Sequence, residues 1–295
     1  MLWLLLLQVW VSCLWLGHGE VVDSFASCPE FFYGDTPPDK ALKPQNPAWI
    51  CQTLKNQRFF ATLYDKDRRI PVYSAYKYEP GKVVKNHTWT VEPQLIRSNL
   101  PKEMQTVQTL ERQYNISKAE IMQSQAVNTD YEKSGWDRGH LNPNGHHDTP
   151  DSRNVTYTLT NIVPMNATLN RGSWKNYEQQ TMRQKTKKCQ TDKIFVIVGA
   201  VPGNSSIANG RVNVPSYIWS GACCKTTNNT VSAWAAVAEN NQDQVWDLTL
   251  GDLENSLAQL KAVGRGWLRL PTGVVESPLL ERLKPQVDMI LDNLL

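Results

Sequence analysis

The sequence predicts an α+β domain, and three observations carry that expectation. Strand-like runs are separated by polar turns rather than by regular helical crossovers, as in Phe60-Ala61-Thr62-Leu63-Tyr64, Asp65-Lys66-Asp67-Arg68 and Ile70-Pro71-Val72-Tyr73-Ser74-Ala75-Tyr76. The run Ile194-Phe195-Val196-Ile197-Val198 is apolar throughout, as expected of a strand covered on both faces. Helical spacing is confined to a few stretches, and no internal repeat, low-complexity tract or linker divides the 295 residues. That length suits one large domain or two modest ones.

Residues 1–17 are nearly all apolar, with Leu4 to Leu7 at the centre and Gly17-His18-Gly19 at the end. This pattern reads as a secretory signal over residues 1–19. The run is short for a bilayer span, which needs roughly 20 apolar residues. No Lys or Arg precedes it, so an uncleaved signal-anchor is the alternative. No later stretch is apolar enough to span a bilayer, and no stable membrane association is expected. Removal of the signal takes Cys13 and leaves Cys28, Cys51, Cys189, Cys223 and Cys224. Cys28–Cys51 would tie the first segment. Cys189 with Cys223 or Cys224 would tie the second half, and the odd thiol is free or paired with another chain. Sequons begin at Asn86, Asn115, Asn154, Asn166, Asn204 and Asn228, in keeping with secretion. No CxxC pair exists, which argues against a cysteine zinc site.

Residues 20–58, with Pro37-Pro38, Pro44 and Pro47 in an irregular lead-in over residues 20–50, form a disulfide-tied N-terminal segment, and residues 59–295 the main domain. The hairpin over Phe60 to Tyr76 places Pro71 near a sheet edge or a strand start. Residues 80–130 read as a loop with short helices, with helical spacing from Met104 to Tyr114. Then comes Asp137-Arg138-Gly139-His140-Leu141-Asn142-Pro143, the turn signal Asn144-Gly145, and the strand-like run Val155 to Leu159. A helix follows, with Asn166 as N-cap and Leu169, Trp174, Tyr177 and Met182 on its apolar face. Gly172 weakens that pattern. Arg183, Lys185, Lys187 and Lys188 suit its C-terminal end. The local order is strand, loop, strand, helix. Further strands are expected at Val212 to Trp219 and Val231 to Ala238, with Asn228-Asn229 turning between the last two. Helical spacing returns at Leu253, Leu257 and Leu260, and from Pro278 to Leu295.

The formal charge of +3 and pI of about 8.4 permit a polyanionic partner without requiring one. His140 has the intrinsic pKa of a general base, though a lone histidine is more often structural. Arg138, two residues earlier, shares its strand face. A base and a fixed cation there can address one phosphate. Asp137 is expected to hold Arg138 or a backbone amide. Asn170 offers an amide oxygen to a hard cation such as Mg²⁺, which keeps most of its waters. Glu178, eight residues on, would lie roughly 12 Å away along a straight helix. It is therefore given an outer role, through a metal-bound water. The bland alternative is a capping Asn170 and a solvated Glu178. His146 and His147 read as loop histidines that contact substrate rather than bind zinc. The basic residues from Arg183 to Lys193 either track a phosphate backbone or form a solvated helix end. The tryptophans read as core rather than as base-stacking platforms.

Asp137-Arg138-Gly139-His140, Thr160-Asn161-Ile162-Val163-Pro164, and Leu169-Asn170 to Trp174 with Glu178 together resemble the DNA/RNA non-specific endonuclease family, from about Phe59 to Asn240. The resemblance implies a ββα-metal nuclease fold with a central, mostly antiparallel sheet and flanking helices. It implies His140 as general base and Asn170 as the sole direct protein ligand of Mg²⁺, with Mn²⁺ as an alternative ion. Arg138 would stabilise the transition-state phosphate, Asn161 would orient His140 or the site backbone, and Glu178 would hold a metal water. Substrates would be DNA and RNA, cut with little base specificity because contacts go to phosphate, and products would carry 5′ phosphates. A further arginine from an upstream strand is implied, with Arg68, Arg69 and Arg97 as candidates. The leading expectation is thus a secreted Mg²⁺-dependent endonuclease. A catalytically weak or inactive nuclease-fold module that binds nucleic acid or protein is the runner-up, and a disulfide-tied structural glycoprotein the third. Oligomeric state is left open.

Overall fold

A computed structural model describes residues 20–38, 42–83 and 88–263. The expected signal segment, the sequon at Asn86 and the expected helix from Pro278 to Leu295 lie outside the described residues. The strands in chain order are β1 (Val21–Val22), β2 (Pro47–Leu54), β3 (Gln57–Asp65), β4 (Ile70–Lys77), β5 (Asp137–His140), β6 (Ile162–Met165), β7 (Cys189–Val201), β8 (Ser205–Ile207), β9 (Val212–Val214), β10 (Tyr217–Thr226), β11 (Val231–Glu239) and β12 (Trp246–Leu248). The longer helices are α1 (Val107–Tyr114), α2 (Lys118–Ser124) and α4 (Leu250–Val263), with a short α3 (Ala167–Arg171) before the last.

Eight strands form one sheet in the order β1-β2-β3-β4-β7-β10-β11-β12, every neighbouring pair antiparallel. The β3–β4 turn is closed by Asp65, whose Oδ1 accepts from the Asp67 and Arg68 amides at 3.0 and 3.1 Å. Pro71 sits at the start of β4, opposite Tyr64 at the irregularity in the β3–β4 pairing and before β4 pairs with β7 at Tyr73. The expected segment boundary falls inside β3: β2 and β3 are one hairpin, and the sheet is continuous across residue 58.

Period-2 alternation sorts the side chains into two cores. Tyr76 on β4, Ile194, Val196 and Val198 on β7, and Trp234 and Ala236 on β11 face the layer that holds β5, β6 and the helices. Tyr73, Ala75, Trp219, Ala235 and Val237 face Phe25, Phe31 and Phe32 of the N-terminal segment and Leu253 of α4. The unbroken apolar run of β7 follows, because both of its faces are covered. Disulfides join Cys28 to Cys51 and Cys189 to Cys224, and among the described residues Cys223 is the free thiol.

Two expected strands are corrected. Val155–Tyr157 and Leu159–Asn161 are 3-10 turns, and the second strand of the motif is β6 instead. The β-branched residues there serve a buried carboxylate: Thr158 and Thr160 donate their hydroxyls to Glu92, the latter at 3.2 Å. The run Val212 to Trp219 splits at Pro215, so β9 pairs with β8 while β10 joins the large sheet.

Candidate active site

Strand β5 pairs antiparallel with β6, matching Arg138 to Pro164, Gly139 to Val163 and His140 to Ile162. Gly139 is the tight point, since a Cβ there would stand 2.5 Å from the Met165 Cβ. Arg138 and His140 alternate away from that contact and line an open cavity of about 160 Å³. Asn170, Glu178, Arg183, Tyr78 and His146 line the same cavity.

Asn170 comes from α3, whose N-cap is Asn166, with Oδ1 accepting from the Thr168 and Leu169 amides. The chain then breaks at Gly172, where a Cβ would meet Asp243 Oδ2 at 2.4 Å. Asp243 Oδ1 accepts from the Ser173 amide at 2.6 Å and restarts the helix. Ser173–Asn176 is followed by a π-helical turn over Tyr177–Thr181 and by Met182–Lys185. The straight-helix separation expected for Asn170 and Glu178 therefore does not apply, and both side chains border one cavity. Asn170 Nδ2 donates to Asp137 Oδ2 at 3.0 Å. With Nδ2 engaged, Oδ1 is the acceptor left to the cavity. Asp137 does not hold Arg138, as expected above, but binds Asn170 and forms a two-pronged pair with Arg171 at 2.5 and 2.8 Å. Partial burial alone raises the Asp137 carboxyl, but the Arg171 and Asn170 hydrogen bonds outweigh it and hold it below the usual range.

The His140 ring lies 5.5 Å from Trp89 and 5.1 Å, edge to face, from Tyr157. Its Nε2 is buried without a hydrogen-bond partner, and burial pushes the imidazole down to about 4, so it is neutral. Arg138 donates from Nη2 to the Asn128 carbonyl at 2.9 Å, and its Nε is likewise buried and unpartnered. Burial pushes the Glu178 carboxyl up to about 8, the Trp174 indole opposing it. Asn161 sits outside the cavity, fully buried. Its Oδ1 accepts from the Asn142 amide and the Ser74 hydroxyl, and its Nδ2 donates to the Asn142 and Thr156 carbonyls. Its contacts are with the backbone just past His140, not with the imidazole.

His146 and His147 are core residues rather than loop histidines. His146 Nε2 donates to the Glu178 carbonyl at 2.9 Å, so its Nδ1 accepts the Tyr76 hydroxyl, also at 2.9 Å. This chain ties the π-helical turn to β4. His147 Nε2 meets Asn142 Oδ1 at 2.7 Å. None of the three candidate arginines lines the cavity. Arg68 pairs with Asp65, Arg97 with Glu120, and Arg69 donates to the carbonyls of Met122, Asp67, Arg211 and Gln123. The second cation at the cavity is Arg183, which sequence reasoning left at a helix end. No local signal marked it, because the π-helical turn that brings it beside Glu178 is not written in the sequence pattern. Burial raises the Tyr78 phenol, and the charge of nearby Arg183 opposes it.

Among the described residues no three His, Cys, Asp or Glu side chains gather to hold a metal. A caged zinc or calcium ion does not fit this donor set. One amide oxygen with a carboxyl beside it fits a largely hydrated, oxygen-preferring divalent ion.

The chain belongs to the DNA/RNA non-specific endonuclease family, whose model matches residues 37–268, and it has that family's ββα-metal nuclease fold. Among its relatives, human endonuclease domain-containing 1 protein is 30% identical over 243 residues, 81% of this chain and 47% of that protein. The mouse protein of the same name is 30% identical over 237 residues, 79% of this chain and 46% of that protein. The chain thus spans about half the length of these curated relatives. Zebrafish mitochondrial nuclease EXOG is 42% identical over 90 residues, 30% of this chain and 25% of that protein. A solved EndoG/EndoGI complex aligns over 70% of this chain and 84% of that chain, at 19% identity and a TM-score of 0.48.

Proposed function

We propose that the chain is a secreted endonuclease that hydrolyses phosphodiester bonds of DNA and RNA with little sequence preference, using Mg²⁺, or Mn²⁺ in its place. The supporting observation is the convergence of His140, Arg138, Asn170, Glu178 and Arg183 on one cavity. In this reading the His140 imidazole, which lines the cavity, takes the proton of the attacking water. An approaching phosphate raises the basicity of that neutral imidazole by attraction. Arg138, whose side chain lines the cavity with Nη2 on the Asn128 carbonyl, holds a non-bridging oxygen of the scissile phosphate. Arg183, in the lining of the same cavity, holds the strand. Asn161 keeps the turn after His140 in place. Asn170 Oδ1 would hold the ion directly and Glu178 through a water, Asp137 fixing the amide. When bound, the ion offsets charge on the leaving 3′ oxygen. Secretion is supported by the two disulfides.

A plasmid-nicking assay with and without EDTA tests the reading. His140→Ala is expected to lower the rate roughly 10²–10⁴-fold. Cleavage that persists in chelator, or is unchanged in the variant, overturns it. The placement of Arg68, Arg69 and Arg97 away from the cavity favours a second reading, a nuclease fold that binds nucleic acid or protein with weak or no turnover. Salt-sensitive DNA binding without cleavage in millimolar Mg²⁺ would select it.

A further inference from the structure

We propose that Trp89 is a positioning residue of this site: its indole holds the Arg138 guanidinium and the His140 imidazole in fixed relation, so that both meet one phosphodiester. The inference rests on the nuclease reading above. Trp89 lies outside the motif that carries the family resemblance and is half-buried. The Arg138 guanidinium carbon lies 5.7 Å from the Trp89 ring and 5.4 Å from the Tyr131 ring. The cation is thus held on two aromatic sides, and Asn128 fixes one corner through Nη2. A guanidinium gripped in this way gives up little rotamer freedom when an anion arrives. The same indole packs 5.5 Å from His140, which Tyr157 backs at 5.1 Å. Trp89 also packs 5.2 Å from Tyr157, so the base, the cation and both rings form one connected stack.

The backbone delivers the indole firmly. The Thr90 amide donates to the Tyr157 carbonyl at 3.1 Å, and the Leu159 amide donates to Thr90 at 2.9 Å. Val91 exchanges hydrogen bonds of 2.8 and 3.0 Å with Gln105. Trp89 is therefore anchored to the segment that supplies Tyr157 and, just beyond, Asn161. A purely structural tryptophan would cover aliphatic side chains. This one, although it also packs against the core, spends its ring on two polar residues of the cavity wall.

The test compares Trp89→Phe, Trp89→Leu and Trp89→Ala on plasmid DNA and on bis(p-nitrophenyl) phosphate, a diester with no nucleobase. Trp89→Leu is expected to lower kcat about 10- to 100-fold on both substrates with little change in KM, and Trp89→Phe to retain most activity. In an Arg138→Ala background the Trp89→Leu loss should shrink, as coupled residues require. NMR titration of His140 gives a readout besides turnover: Trp89→Ala wets the ring and moves its midpoint from about 4 toward the ordinary value. Wild-type kcat in Trp89→Leu overturns the proposal, as does a loss confined to KM on DNA, which would make Trp89 a base-stacking platform. Additive losses with an unmoved His140 titration also overturn it. If the wild-type protein cleaves nothing, the nuclease reading fails, whereas a shifted His140 titration still supports the positioning of the imidazole and an unshifted one removes it.

Discussion

Desolvation pushes the half-buried His140 and the buried His146 and His147 from an ordinary value near 6.5 to about 4, 4 and 3. Their folded values lie below the unfolded one, so the native state binds fewer protons than the unfolded chain in that window. Their contribution to stability is complete above pH 6.5 and is lost as pH falls toward 4. Thermal melts should therefore drop steeply across that window, and His147→Gln should drop less. Buried acids have the opposite sign. Glu20 and Glu92 are raised by burial, so their contribution is full below the ordinary 4.5 and is lost as pH rises through their folded values. Glu20→Gln should accordingly gain melting temperature over wild type at pH 8 but not at pH 4, and equal shifts at both would refute the burial argument. The roles of the histidine pair were not legible in sequence. A His-His doublet after Asn144-Gly145 reads as a loop, and only Tyr76, brought in on a distant strand, makes His146 a core residue.

The element carrying Asn170 was legible at its start and not in its middle. Asn166 has the chemistry of an N-cap, and it caps α3 through Oδ1. Asn166→Ala should cost about 1 kcal/mol, which for a domain of this size lowers Tm by roughly 2–4 °C in calorimetry. The interruption at Gly172 depends on Asp243, and the π-helical turn follows from that restart together with the His146 tether on the Glu178 carbonyl. Gly172 hints at the first, and no local pattern announces the second. The same limit explains Val155 to Leu159, where Thr158 donates to the distant Glu92 and bridges to Thr90 while Val155 and Leu159 enter the core.

Over the whole molecule the large sheet was mostly legible, because alternation along β3, β4, β10 and β11 and the apolar run of β7 reflect how each face is covered. The order of strands was not, since β4 and β7 are neighbours separated by the residues that build the site. The Cys189–Cys224 disulfide joins strands 35 residues apart in sequence and constrains the unfolded chain. Replacing both cysteines by Ala should cost roughly 4 kcal/mol in chemical denaturation. The two-stranded ladder of β5 and β6 has a further consequence. It is only four residues long on each side, and opposite sides of it carry opposite meanings. If the two ribbons were offset by a single position, Asp137 and Gly139 would look into the cleft, and the chain would be well folded but chemically mute. The close fit of Gly139 on Met165 is what forbids that frame, so a residue with no side chain safeguards the message spelled by its neighbours.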